Sequence, residues 1–194
     1  MTVAIADLNL WGKQDGLPER YPLLCHLLDT AASAGVLWDR WLRPGLRDQL
    51  TVALAPGDPA LARRRMMTVA ALHDIGKANP VFQGQIRASN DKPWAAEHRA
   101  QLARDGYEIA PPISQPVVYR HEAVSLAALH GADMTGDMDP TEHYLAVATS
   151  GHHGAFHAVD DNRLTPRELR SVCAGAWGEQ QHAHIESVLV NVRS

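Results

Sequence analysis

A helical periodicity of apolar residues most constrains how this chain can fold. Between Tyr21 and Trp41, apolar side chains recur at Leu23, Leu27 and Ala31. This is the i, i+4, i+8 stripe of an amphipathic helix. No segment shows the alternation of apolar and polar residues that is typical of a half-buried strand. The sequence therefore predicts an all-α domain.

Start and stop signals predict further helices along the chain. Asp58-Pro59 begins a helix over residues 59–75, and Gly76 is expected to end it as the C′ residue. Other helices are predicted over residues 120–130, 141–150, 166–174 and 179–192. Two polar, proline-bearing stretches, Phe82–Trp94 and Asp105–Val118, are predicted to be loops.

Composition excludes several classes of protein. With 194 residues, 45% of them hydrophobic, the chain is long enough to bury one sizeable core. It has no apolar run long enough for a membrane span and no signal-like N-terminus, so we expect a soluble, cytoplasmic protein that does not interact with membranes. The net charge of −4 argues against a nucleic-acid footprint over the whole surface, but leaves room for a bound cation.

Histidine is unusually frequent, with 11 residues, and it is the commonest ligand of transition metals. Several histidines fall at or near predicted helix ends, and one of them directly precedes an aspartate. The residues in question are His26, His73, Asp74, His121, His152 and His153. A carboxylate can bridge two cations while neutral imidazoles complete each shell, so these residue types suit a two-metal centre.

Four stretches together resemble a known family. LHDIGKANPVFQ, YPLLCHLLDTA, RHEAVSL and SGHHGAF, which span Tyr21 to Phe156, are similar to the HD nuclease domain of the CRISPR-associated helicase-nuclease of type I interference systems. This domain belongs to the HD phosphohydrolase superfamily. The resemblance implies an all-α helical bundle with a metal site at converging helix ends. It also implies a divalent-metal nuclease, endonuclease or exonuclease, that degrades single-stranded DNA of invaders.

The resemblance further implies partners and cofactors. The expected partners are a helicase domain, in cis or in trans, and a guide-RNA surveillance complex. The expected cofactors are two divalent metal ions. Histidine-rich ligation favours iron, manganese, cobalt or nickel over magnesium, because magnesium prefers oxygen ligands. Magnesium is a further possibility.

The resemblance assigns roles residue by residue. Asp74 is expected to be catalytic and to bridge both metals, and Lys77 is expected to steady a phosphate or a developing negative charge. The alternative for Lys77 is that it only complements the negative end of its helix. The metal ligands implied are His26, His73 and Asp74 for the first ion, and Asp74, His121, His152 and His153 for the second.

One element of the family pattern is missing. The pattern has a further aspartate on a later helix, and Asp160 and Asp161 come too early to match it. We therefore expect residues 1–194 to form an HD nuclease domain that is truncated at its C-terminus. We also expect the first metal to bind more weakly than the second.

Two other functions stay open at this stage. The chain could be an HD phosphohydrolase that acts on nucleotides, or a catalytically incomplete docking module. The residues themselves also have structural interpretations: His26 as a hydrogen-bonded core residue, Asp74 as a helix cap, and the triplet Arg63–Arg65 as a solvated helix face rather than a DNA contact. The histidines outside the motifs are predicted to be exposed or to have supporting roles; they are His98, His143, His157, His182 and His184.

Overall fold

Helices dominate the part of the chain that the structure describes. The computed structural model describes residues 5–14, 17, 19–84, 94–109, 121–130, 146–149, 151–153 and 172–193. The helices are α1 (Leu23–Val36), α2 (Pro44–Leu54), α3 (Pro59–Leu72), α4 (Pro80–Gly84), α5 (Trp94–Arg104), α6 (His121–His130) and α7 (Gly175–Arg193). A π-helical turn covers Leu37–Trp41, 3-10 turns cover Ile75–Lys77 and Gly151–His153, and residues 146–149 are helical. The predicted all-α class is confirmed.

The apolar stripe of α1 faces the core, as the periodicity predicts. Leu23, Leu27 and Ala31 are buried, and α1 packs against α3 and α7. The predicted start of α3 is also found, because the Asp58 side chain accepts a hydrogen bond from the Leu61 backbone N–H at 2.8 Å. Such an N-cap satisfies one of the free amides at the start of a helix.

The main core lies between α1, α3 and α7, with the Ile75–Lys77 turn at its edge. Its larger buried members are Leu10, Leu23, Leu27, Leu72, Ile75, Leu102, Tyr107, Trp177, Val188 and Val192. A smaller cluster under the α1–α2 corner contains Trp38, Ala55 and Ala62. Both clusters bury the apolar faces of helices, which is the main source of stability in a helical domain.

Within the described residues, the helices are accompanied by a two-stranded antiparallel ribbon. Strand β1 (Trp11–Lys13) pairs with β2 (Tyr21–Pro22), with Trp11 opposite Pro22 and Lys13 opposite Tyr21. These strands are too short to show alternation in the sequence. The ribbon runs directly into α1, since the Leu23 backbone N–H donates to the Leu10 carbonyl at 2.7 Å.

Several predicted boundaries are wrong in part. Residues 82–84 belong to α4 rather than to a loop, and α7 begins at Gly175 rather than at residue 179. The predicted helix over 141–150 is helical at 146–149, and its other residues lie outside those described. Most of the predicted loop over 105–118 and of the helix over 166–174 also lies outside the described residues.

The arginine triplet on α3 includes two side chains with structural contacts. Arg63 pairs with Asp39 of the π-helical turn at 2.7 Å, and Arg65 donates to the Leu54 carbonyl. These contacts tie α3 to its neighbours in the chain, so Arg63 and Arg65 are more than a solvated face. None of the helices within the described ranges is long and apolar enough to cross a membrane.

Candidate metal centre

The HD pair lies in a turn between two helical elements. Helix α3 ends at Leu72, and the 3-10 turn begins at Ile75, so His73 and Asp74 form the junction. The prediction that the helix continues to residue 75 is therefore wrong by one turn. Because the backbone changes direction here, the two side chains need not follow the 100° spacing of a helix, and both reach the same point.

Three side-chain nitrogens contact one carboxylate oxygen of Asp74. Asp74 Oδ2 lies 2.8 Å from His26 Nε2 and 2.9 Å from His73 Nε2. It also lies 2.6 Å from Lys77 Nζ. His26 lies in the first turn of α1, so this oxygen joins the α1 side of the centre to the HD turn.

The other oxygen of Asp74 faces a second set of imidazoles. Asp74 Oδ1 lies 3.0 Å from His121 Nε2 and 3.3 Å from His152 Nε2. His121 is the first residue of α6, and His152 belongs to the Gly151–His153 turn. His153, the next residue in that turn, lies close to both rings, with centroid distances of 4.3 Å to His152 and 5.2 Å to His121. All six residues predicted as metal ligands are therefore brought together.

The surroundings keep Asp74 ionised although its side chain is only 5% exposed. Burial acts to raise its pKa, but the contacts with His121, His152, His26 and His73 lower it and prevail, so the pKa of Asp74 lies far below its usual range. A buried carboxylate of this kind requires hydrogen-bond donors or a positive partner, and Lys77 supplies a positive charge 2.6 Å from Oδ2.

Hydrogen bonds with the main chain fix two of the imidazole rings. His73 Nδ1 lies 2.8 Å from the Ala70 carbonyl oxygen, and His152 Nδ1 lies 3.1 Å from the Thr149 carbonyl oxygen. A carbonyl oxygen only accepts, so each Nδ1 carries a hydrogen, and Nε2 is the nitrogen that the neutral ring can offer to a metal ion. Metal-binding histidines are typically held this way, with the free nitrogen directed at the ion.

The residues present fit divalent metal ions. Asp74 Oδ1 and His121 Nε2 are buried, and neither makes a hydrogen bond of good geometry within the described part of the chain. Buried polar atoms that are left unpaired are costly unless another partner is bound. The ligands form two groups, and within each group the ligand atoms all lie within 4.8 Å of one another. The first group is His26, His73 and Asp74, and the second is His121, His152 and His153. This division matches the two predicted ligand sets, with Asp74 placed between them.

Lys77 contacts the carboxylate of the site. Its ammonium group is held by Asp74 Oδ2, by a hydrogen bond of 2.9 Å to the Gly12 carbonyl, and by the face of Phe82 at 5.3 Å. The interpretation that it complements the negative end of the helix stays a prediction. Its predicted contact with a phosphate stays a prediction.

Gly76 and Ser125 join the HD turn to α6, and sequence reasoning missed this contact. A Cβ atom on Gly76 would lie 2.0 Å from the His121 carbonyl oxygen and 2.3 Å from the Ser125 backbone nitrogen. The Ser125 hydroxyl accepts from the Gly76 N–H at 2.9 Å and donates to the His73 carbonyl at 3.0 Å. The predicted role of Gly76 as a left-handed C′ residue is wrong, since it has no positive φ.

Gln83 joins the β1 strand to the Lys77 segment, and it was also missed. Its side chain is fully buried, and its Nε2 donates to the Trp11 carbonyl at 2.9 Å and to the Lys77 carbonyl at 3.0 Å. Its Oε1 accepts from the Trp11 N–H at 3.2 Å. Gln83 belongs to the ANPVFQ stretch that contributes to the family resemblance, but nothing in the sequence predicted its hydrogen-bond partners.

Two histidines outside the centre are buried, contrary to the expectation of exposed or supporting positions. His98 lies on α5 beside Arg20, with a distance of 2.6 Å between its Nδ1 and the arginine Nη1. Burial, then the Arg20 charge, lowers the pKa of His98 to about 4. His184 on α7 is fully buried. His143 and His157, like Asp160 and Asp161, lie outside the described residues.

Comparison with known proteins identifies the family. The model of the family described as Cas3, HD domain, matches residues 11–193. The chain belongs to this family. It is 28% identical over 144 residues to the CRISPR-associated nuclease/helicase Cas3 of Streptococcus thermophilus, an alignment that covers 72% of this chain and 15% of that protein.

Solved structures agree with this relationship. The crystal structure of T. fusca Cas3 matches with a TM-score of 0.73 and 29% identity, over 97% of this chain and 20% of the other. A solved CRISPR RNA-guided surveillance complex, pre-nicking, contains a chain that matches with a TM-score of 0.70 and 29% identity, over 97% of this chain and 21% of the other. The chain therefore spans about a fifth or less of the length of these relatives.

Proposed function

We propose that this chain is a divalent-metal-dependent nuclease that cleaves single-stranded DNA of invading nucleic acid in CRISPR type I interference. The observation that carries the proposal is the position of Asp74, whose two oxygens face two different groups of imidazoles. A carboxylate in this position can hold two cations side by side. Membership of the Cas3 HD domain family supports the same reading.

The proposed roles of the chain's own residues follow from their contacts. Asp74 would hold both ions, and His73 and His152 would bind them through Nε2 of rings fixed by main-chain carbonyls. Lys77 restrains Asp74, and because Asp74 and the Gly12 carbonyl are its polar partners among the described residues, it has one ammonium donor left there for an anionic substrate. When bound, the metal ions would supply Lewis-acid stabilisation of the scissile phosphate and a nucleophile at neutral pH.

The same geometry supports the proposed substrate and metals. The Asp74 side chain is 5% exposed, so the centre is recessed, and a single strand can approach it more easily than a duplex. The ligands are mainly imidazoles, which suit manganese, iron, cobalt or nickel better than magnesium.

The proposed partners rest on the relatives. The Streptococcus thermophilus relative is named as a nuclease/helicase, and one structural relative lies in a surveillance complex. We infer that this chain works with a helicase domain, in cis or in trans, and is recruited by a guide-RNA surveillance complex in the cytoplasm.

The test compares Asp74→Asn with the wild-type chain. Single-stranded DNA, duplex DNA and nucleoside phosphates are each incubated with manganese, cobalt, nickel or magnesium. We expect cleavage of single-stranded DNA by the wild type and its loss in Asp74→Asn. Asp48→Asn, an exposed carboxylate on α2, is the matched control and should cleave normally. Turnover of nucleoside phosphates without DNA cleavage would instead indicate a nucleotide phosphohydrolase, and metal-free, inactive protein would indicate a docking module.

A further inference from the structure

Glu122 is a buried carboxylate beside the metal centre that no motif role explains. It follows His121 in the first turn of α6, and its side chain is 5% exposed. Its Oε2 lies 3.4 Å from His121 Nδ1, and its Oε1 lies 3.8 Å from His153 Nε2. Thus each oxygen of this carboxylate is directed at one histidine of the same group of metal-binding residues.

The His121 ring lies between two carboxylates. Its Nε2 faces Asp74 Oδ1 at 3.0 Å, while its Nδ1 faces Glu122 Oε2 at 3.4 Å. Only one nitrogen of a neutral imidazole carries a hydrogen, and a carboxylate acts only as an acceptor. If Nδ1 carries the hydrogen towards Glu122, Nε2 is left with its lone pair on the side of the metal centre.

The negative charge of Glu122 has a second effect, on the binding of a cation. The group formed by His121, His152 and His153 offers neutral ligands, and it shares the negative charge of Asp74 with the other group. A divalent cation at this group has no carboxylate of its own among those ligands. A buried carboxylate within 4 Å of two of the rings adds attraction that solvent screens only weakly.

We propose that Glu122 is a positioning residue of the metal centre. It holds the His121 ring with Nε2 towards Asp74, it attracts His153, and it thereby increases the affinity of the His121, His152 and His153 group for a divalent cation. Carboxylate–histidine pairs behind a metal ion act in this way in general, and losing one weakens metal binding by roughly 10- to 100-fold. The inference rests on the metal centre of the proposed function.

Metal titration tests the inference directly. Cobalt(II) is titrated into the wild-type chain, Glu122→Gln and Glu122→Ala, and binding is followed by calorimetry and by the visible absorption of the bound ion. Glu122→Gln keeps the shape and removes the charge. We expect one binding event to weaken by roughly 10- to 100-fold in Glu122→Gln and at least as much in Glu122→Ala, while the other changes by less than about threefold. Glu186→Gln, an exposed glutamate on α7, is the matched control and should match the wild type.

A second readout uses the metal-free wild-type chain and does not depend on whether the variants fold. Nitrogen-15 NMR of the histidine side chains should show His121 with the hydrogen on Nδ1. Unchanged cobalt affinity in folded Glu122→Gln, or a His121 tautomer with the hydrogen on Nε2, would overturn the inference while leaving the proposed function intact. A wild-type chain that binds no cobalt would overturn both.

Discussion

The contact between Gly76 and α6 leads to the most demanding prediction. In Gly76→Ala, the new Cβ would lie 2.0 Å from the His121 carbonyl oxygen and 2.3 Å from the Ser125 backbone nitrogen. Both atoms are main-chain atoms, so no side-chain rotation can relieve the overlap. The start of α6 would have to move by roughly 1 Å to restore ordinary contact distances of about 3.3 Å.

The cost of this movement can be estimated from its two parts. Forcing extra volume into a packed region costs about 1 to 3 kcal/mol and occasionally more. The movement would also break the buried hydrogen bond of 2.9 Å between the Gly76 N–H and the Ser125 hydroxyl, which costs about 1 to 3 kcal/mol. We expect Gly76→Ala to lower the free energy of unfolding by about 4 kcal/mol, because the two parts overlap only in part.

Urea unfolding followed by circular dichroism measures this effect. Gly45→Ala is the matched control, because a Cβ on Gly45 in α2 meets nothing within 4 Å. It should unfold within about 0.5 kcal/mol of the wild type or be slightly more stable. Removing the Ser125 side chain in the double variant Gly76→Ala, Ser125→Ala should not rescue stability, since the closest clashes are with main-chain atoms. Equal midpoints for Gly76→Ala and Gly45→Ala would refute the reasoning.

Three further predictions concern stability. His98 has a pKa lowered to about 4 from 6.5, so its neutral form is favoured in the fold; the free energy of unfolding should fall by about 3 kcal/mol as the pH drops from about 6.5 to about 4. Urea titrations at several pH values should show this dependence reduced in His98→Gln. Gln83→Ala removes buried hydrogen bonds to Trp11 and Lys77 and should cost about 2 to 4 kcal/mol in urea unfolding, so a loss below about 0.5 kcal/mol would contradict the assigned contacts. Manganese at a hundred times its dissociation constant should add about 2.7 kcal/mol for each occupied site, and thermal unfolding that is unaffected by manganese or a chelator would argue against the site.

Among the predicted helices, α1 is the one with a plain apolar stripe, whereas α3 was predicted from its start and stop signals. In α1 the buried residues are leucines and alanines at helical spacing, so the pattern alone predicts both the helix and its core face. In α5 the buried residues are Ala95, His98 and Leu102. Their spacing is helical, but a histidine does not count as apolar in a periodicity argument, which leaves Ala95 and Leu102 as the apolar positions. The helix was missed because burial there depends on the partners of His98.

In the candidate site, too, some residues were predicted from the sequence and others were missed. The six predicted ligands came from residue types and motif resemblance, and the structure brings their side chains together. Glu122 was overlooked, because an acidic residue in the first turn of a helix already has an ordinary explanation in the helix dipole. Gly76 was assigned to the end of α3 because glycine often ends a helix. Its close approach to α6 depends on a segment more than forty residues away, which no local pattern can reveal.

Lys77 adds a physical reason for the two metal groups to differ. The sequence led us to expect weaker binding at the His26, His73 and Asp74 group, because a further carboxylate is missing there. In the structure, the same oxygen of Asp74 that faces this group also lies 2.6 Å from the Lys77 ammonium. A metal ion at this group must share that oxygen with a positive charge, and at such distances in a buried site the repulsion is only weakly screened. Asp74 Oδ1 faces imidazoles, so the other group does not share its oxygen with Lys77. The arrangement of charges around a single carboxylate is therefore a physical reason to expect this difference in affinity.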